Sequence, residues 1–200
     1  MSSVFIAKGW RGEIWLDKKD GIVTATKKAL DVTKIWSIHR EIQILKYLNK
    51  KWCDFVPQLT HTQHDSFSYI YIEWEHYEDI YERLKNKKWK EEEVQMLLYM
   101  LLACAYKLDV LWVVHGEFLR PYKNMIVSQH DLGMYSVSVI DFERGTLQDT
   151  SGKNMRHLAQ RLLTQGYVDL DLVKWLWSVS CDDIYIELQQ GLRDSKDWSL

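Results

Sequence analysis

Apolar residues in the first thirty positions come in short runs broken by glycine. Val4-Phe5-Ile6 precede "AKGWRGEIW" and Ile14-Trp15-Leu16 close it, a pattern that predicts a hairpin with Gly9 and Gly12 near its turn. Asp20-Gly21 is a strong turn signal, and "IVTATKK" then alternates, placing Val23, Ala25 and Lys27 on one face of a strand. From about Thr33 to Asn49 the period changes. Ile35, Ile38, Ile42, Leu45 and Leu48 form an apolar helical stripe. Pro57 and the polar "THTQHDS" predict a break, and "FSYIYIEW" a β-rich run after it.

A second half begins near Asp79. Polar residues through Lys90 lead to a helix from about Glu91 to Leu111, whose acidic first turn suits the helix dipole. Val113-Val114 open the stretch "HGEFLRPYKNMIVSQHDLGMYSVSVIDFERG", which predicts two strands, "NMIV" and "YSVSVID", with Gly133 in the turn. A helix near Asn154–Leu163 and one or two more through Leu192 complete the chain. The fold class is α+β: a β-rich first lobe (1–78) holding one helix, then a mainly helical second lobe (79–200), together one domain.

Charge changes the picture modestly. Residues 1–90 carry 16 Lys and Arg against 12 Asp and Glu, while residues 91–200 carry 10 against 16, so a polyanionic partner favours the first half or a groove between the two. The net charge of −2 predicts no strong general attraction to DNA or acidic lipid. Cys53, Cys104 and Cys181 lack metal or disulfide spacing, which points to a reduced, cytoplasmic setting. The start has no signal-peptide core, and Met96–Tyr106 is too short to span a bilayer. His61 and His64 in "HTQH" read as a surface loop.

The chemistry-bearing residues each allow two readings. Gly9 and Gly12 bring backbone N–H groups close to phosphate, or simply make a tight hairpin. Lys27 on an apolar strand face meets an anion, or lies at an edge with its head in water. Glu41, inside the helical stripe, pairs with Lys27, or with Arg40 or Lys46 nearby. Asn124 and Asp141 are brought together by the hairpin, as oxygen ligands for Mg²⁺ or as loop caps. Glu117 faces the same cleft as a base, or caps the loop as a polar residue.

Taken together and in order, these pieces resemble the protein-kinase fold: glycine loop, strand lysine, helix glutamate, His-x-acid with a following Asn, then Asp-Phe-x. The resemblance covers residues 4 to 165. Within it, "HGEFLRPYKN" and "IDFER" are similar to the small atypical kinases of the RIO and KEOPS-kinase type. They look most like mainly archaeal predicted Ser/Thr kinases that include a tRNA ribose 2′-hydroxyl kinase. The resemblance implies ATP and Mg²⁺. It implies nucleotide contacts from Gly9, Gly12, Lys27 and Glu73, metal ligands in Asn124 and Asp141, and catalysis by Glu117 with Lys27, Glu41, Asn124 and Asp141.

Departures sharpen the expectation. Glu117 replaces the usual aspartate and adds about 1.5 Å of reach. Asn124 stands seven positions after it, against five in H-R-D-x-x-x-x-N, so the loop runs differently. Asp-Phe-Glu replaces Asp-Phe-Gly, which argues against a flipping loop. Leu119 stands where protein kinases place a lysine, and Arg120 or Lys123 is expected to neutralise the phosphate instead. About a dozen residues lie between Asp141 and the next helix, without Ala-Pro-Glu, so no peptide-docking platform is expected. A folded RNA suits that gap. The basic, Trp-containing clusters "NKKW" (49–52) and "LKNKKWK" (84–90) suit RNA or are solvated faces. The expected acceptor is tRNA. Alternatives are a protein Ser/Thr acceptor, including autophosphorylation, or a nucleotide-binding pseudokinase or ATPase switch. The tail from Trp175 packs the second lobe or contacts substrate.

Overall fold

Strands β1 (Val4–Lys8), β2 (Gly12–Lys19) and β3 (Ile22–Ala29) run as an antiparallel meander. This is a computed structural model, which describes residues 3–19, 21–71, 75–76, 91–118, 121–129, 135–148 and 152–164. Strands β4 (Leu59–Thr62) and β5 (Ser66–Ile70) complete the sheet in the order β1-β2-β3-β5-β4. β3 is therefore central, and Lys27 stands on an interior strand, not at an edge.

β4 corrects the sequence reading of "THTQHDS" as a break. The run is polar, yet Leu59 and Thr62 register against Tyr69 and Phe67 of β5, so strand pairing overrides composition. His61 thus lies on an edge strand and His64 in the turn after it, both exposed.

Helix α1 (Ile35–Lys50) is entered through a 3-10 turn, Val32–Lys34, whose preceding Asp31 accepts from the Thr33 N–H at 2.8 Å. Its stripe of Ile38, Ile42, Leu45 and Leu48 is buried as the periodicity predicts, against a core that includes Ala25, Phe67 and Tyr69 of the sheet. The same core continues into α2 (Glu91–Val110) through Leu101, Ala105 and Leu108. No helix among the described residues is long and apolar enough to cross a membrane.

The second half supports the loop segments. β6 (Glu75–His76), β8 (Met125–Gln129) and β9 (Tyr135–Val139) form one small sheet, with β8 and β9 paired from Met125↔Val139 to Gln129↔Tyr135. β7 (Val113–Val114) pairs with β10 (Thr146–Leu147). Between them lie the short helix α3 (Pro121–Asn124) and a 3-10 turn, Phe142–Arg144. Helix α4 (Lys153–Thr164) ends the described part.

One buried knot holds these pieces in register. Asp109, near the end of α2, accepts from Asn154 N (3.1 Å), Asn154 Nδ2 (2.7 Å) and Met155 N (3.0 Å), so it caps the first turn of α4. Asn154 Oδ1 in turn accepts from the His115 N–H at 2.9 Å. A carboxylate and an amide thereby fix where the His-Gly-Glu segment begins.

His115 is fully buried. Its ring stacks on Phe118 (4.6 Å between centroids) and meets Phe142 edge-on (4.8 Å). Nε2 lies 2.8 Å from the Ile140 carbonyl, which can only accept, so Nε2 carries the proton. Burial pushes the imidazole pKa down to about 4. Between its ordinary value and 4 the unfolded chain binds a proton that the fold refuses, so stability falls as pH drops through that window. Urea unfolding at pH 7 and pH 4 checks this: wild type is expected to lose about 3 kcal/mol more than His115→Phe over that interval.

Candidate active site

Lys27 reaches the floor of a cleft because its strand face is apolar and its neighbours leave room. Gly12, opposite on β2, would carry a Cβ only 3.0 Å from the Lys28 carbonyl and 3.4 Å from Lys27 Cγ, so a side chain there would crowd the lysine stem. The Nζ atom then meets three carboxylates: Glu41 Oε2 at 2.7 Å, Asp141 Oδ1 at 2.8 Å and Glu143 Oε1 at 2.9 Å. Arg40 and Lys46 are not the partners of Glu41. The pairing of a strand lysine with a helix glutamate fourteen residues on is the geometry seen.

Burial opposes the ammonium, but Glu41, Asp141 and Glu143 outweigh it and hold the Lys27 pKa well above its usual value. Burial pushes the Glu41 carboxyl up to about 7, with Lys27 pulling the other way. The second Glu41 oxygen accepts from the Phe142 N–H at 3.2 Å, tying α1 to the 142–144 turn. Asp141 is opposed by burial too, yet Lys27 keeps its pKa below the ordinary carboxylate range. Its backbone is left-handed (φ 66°, ψ 59°), a conformation that Asp tolerates better than most residues.

Glu143 was not expected in the site. Its other oxygen accepts from Arg11 Nη1 at 2.9 Å, so the residue in the glycine position of Asp-Phe-Gly clasps the tip of the β1–β2 hairpin. Arg11 also lies 5.5 Å from the Trp36 ring, and the Gly9 N–H closes the turn on the Gly12 carbonyl at 2.8 Å. Glu41, Asp141 and Glu143 offer oxygens within 4.8 Å of one another, an arrangement already occupied by Lys27.

The opposite wall carries Glu117 and Asn124. Asn124 ends α3, is buried, and its carbonyl accepts from the Ile140 N–H at 2.9 Å, which sets it beside the strand end leading to Asp141. Glu117 Oε1 forms an ion pair with Arg144 Nε at 3.2 Å. All of these line one cleft of about 840 Å³ beneath Gly9, Trp10 and Arg11, a volume within the usual range of small-ligand sites. The structure thus brings Gly9, Gly12, Lys27, Glu41, Glu117, Asn124 and Asp141 together. Lys123 lines the cleft as well. Glu73, Leu119, Arg120, the 84–90 cluster and the tail from Trp175 lie outside the described residues. "IDFER" contained the signal for Glu143 and Arg144, two charged residues in a row after Asp141 and Phe142, of which only Glu143 stands out from the motif as a departure.

No family model matches the chain, and no curated protein matches it. Solved structures do. WaaP in complex with acyl carrier protein matches with a TM-score of 0.62 at 12% identity, over 98% of this chain and 84% of that one. The BubR1 kinase domain matches with 0.57 at 15%, over 72% and 46%. The Rio2 kinase–ADP/Mg²⁺–phosphoaspartate complex from Chaetomium thermophilum matches with 0.59 at 11%, over 82% and 57%. The fold is protein-kinase-like. At such low identities the likeness carries the fold alone, and the α+β, kinase-like architecture expected from the motif order is the one observed.

Removing the central cation tests the packing of this node. Lys27→Met leaves buried carboxylates without their partner and is expected to cost about 3–5 kcal/mol in a denaturant titration. Lys27→Met combined with Glu41→Gln is expected to regain at least about 1 kcal/mol, since Glu143 keeps Arg11 and one of the two carboxylates left without a cation is neutralised while the Phe142 N–H keeps an acceptor.

Proposed function

We propose that this protein is an ATP- and Mg²⁺-dependent phosphotransferase acting on a hydroxyl acceptor. The observation that carries the reading is Lys27 held between Glu41 and Asp141 at the floor of a cleft, with a glycine hairpin above and Glu117 and Asn124 across from it. One of the similar folds, the Rio2 kinase, is a complex with ADP and Mg²⁺. Residues 1–200 are read as one domain, with lobes at 1–78 and 79–200.

The donor set fits a hard cation. Asp141 engages Lys27 through Oδ1, and Asn124 is the neighbouring oxygen donor, the small ligand set that Mg²⁺ takes together with substrate phosphates. Bound there, Mg²⁺ would neutralise phosphate charge. Lys27 would hold the nucleotide phosphates, oriented by Glu41, while Gly9 and Gly12 roof them and Glu73 contacts the nucleotide. In the transfer, the acceptor oxygen bonds to the γ-phosphorus as the bond from that phosphorus to the β–γ bridging oxygen breaks. The electron pair of the broken bond leaves with ADP, and the acceptor proton passes to a Glu117 oxygen. A positioned acid of this kind contributes about 10²–10⁴-fold in rate.

For the acceptor we favour a tRNA ribose 2′-hydroxyl. The likeness of "HGEFLRPYKN" and "IDFER" to the archaeal kinases supports it. So does the short connection from Asp141 to α4, which holds only a 3-10 turn and the two-residue β10 among its described residues. Incubation with γ-labelled ATP, Mg²⁺ and total tRNA, with casein in parallel and Asp141→Ala as control, tests both levels. Label in RNA that is lost in the variant is the expected result. Label confined to protein would replace the acceptor with a Ser/Thr side chain. No label in either, alongside measurable ATP binding, would replace the kinase reading with a nucleotide-dependent switch.

A further inference from the structure

Gly116 and Arg144 are fitted to each other. Gly116 has φ +87°, and a Cβ built on it would lie 2.7 Å from the Arg144 carbonyl oxygen and 3.2 Å from Arg144 Cβ. A side chain at 116, such as the arginine of His-Arg-Asp, has no room, and the left-handed backbone disfavours it independently. The segment carrying Arg144 occupies that space instead. Its guanidinium then reaches Glu117, with Nε at 3.2 Å from Oε1, and both residues line the cleft that holds Lys27, Asp141 and Asn124.

The contact engages the guanidinium through Nε. The Arg144 side chain is 58% exposed, against 21% for Glu117, and the ion pair leaves its two terminal nitrogens out of the contact. A planar fork of N–H donors beside the acid that faces an acceptor hydroxyl is suited to phosphate oxygens. The position after Glu117 where kinases place a lysine is Leu119 here, which supplies no charge.

We infer that Arg144 is a catalytic residue that contacts the transferring phosphoryl group, with Glu117 as its resting partner. The inference rests on the phosphotransferase reading above and adds a residue to it. In the resting protein the Glu117 carboxylate holds the guanidinium at the cleft. During transfer Glu117 turns to the acceptor proton, and Arg144 neutralises the charge that gathers on the non-bridging oxygens as the bond to ADP breaks. Part of the charge that protein kinases supply from the catalytic loop comes here from the residue after Asp-Phe-Glu, alongside Lys123, which lines the same cleft.

A transition-state mimic separates this role from a structural one. Affinities for Mg·ADP and for Mg·ADP with aluminium fluoride, measured by calorimetry on the full chain, give the comparison. Arg144→Ala is expected to weaken the fluoride complex about 10²-fold more than it weakens Mg·ADP, as removal of one transition-state donor does elsewhere. Arg144→Lys is expected to fall between the two, because it keeps the charge and loses the fork. Equal weakening of both ligands, or of neither, would overturn the role of Arg144 and leave the kinase reading standing. A wild-type protein that binds neither ligand would overturn the kinase reading, and this inference with it.

Discussion

A single buried ammonium, Lys27 Nζ, is where the five-stranded sheet, helix α1 and the segment after β9 meet. Three carboxylates from two separate elements converge on it within 2.9 Å, and one of them, Glu143, also engages Arg11 at the tip of the glycine hairpin. An unpaired charge at that depth would be strongly unfavourable, so each element is held by the charges of the others. Floor, roof and back wall of the cleft are consequently set by one electrostatic node. With all five groups ionised, one negative charge stands in excess over Lys27 and Arg11. That balance suits the arrival of a divalent cation with a nucleotide.

The wall that carries Glu117 is positioned by a different mechanism. The His115 N–H donates to Asn154 Oδ1, whose amide donates in turn to the Asp109 carboxylate, and aromatic packing on Phe118 and Phe142 holds the His115 ring. Glu117 follows His115 by two residues, so its reach into the cleft is set by a rigid anchor and a left-handed glycine. The longer side chain of glutamate and the longer spacing to Asn124 are thus parts of one local rearrangement. It is organised around the close approach of Gly116 to Arg144.

Much of this was legible from periodicity. The α1 stripe, the alternation of β3 and the β8–β9 hairpin follow from spacing alone, and the hairpin brings the ends that carry Asn124 and Asp141 together. β4 was not legible, because its residues are polar and its strand character comes from pairing with β5. Arg11, Glu143 and Arg144 were present in the quoted motifs but carried no periodic signal. Their roles depend on long-range approach, across 132 residues for Arg11 and Glu143, which spacing along the chain does not encode. The choice between Lys27 and a local partner for Glu41 was likewise undecidable until the sheet order put β3 at the centre.

The claim on which the functional reading stands is that Lys27 faces the phosphates of a bound nucleotide. An acyl-phosphate derivative of ATP transfers its acyl group to a lysine lying beside the phosphates, and peptide mass spectrometry locates the label. Acylation at Lys27 that excess Mg·ATP suppresses is the expected result. A Lys27 that stays unlabelled while exposed lysines react, or labelling that ATP leaves unchanged, would contradict it.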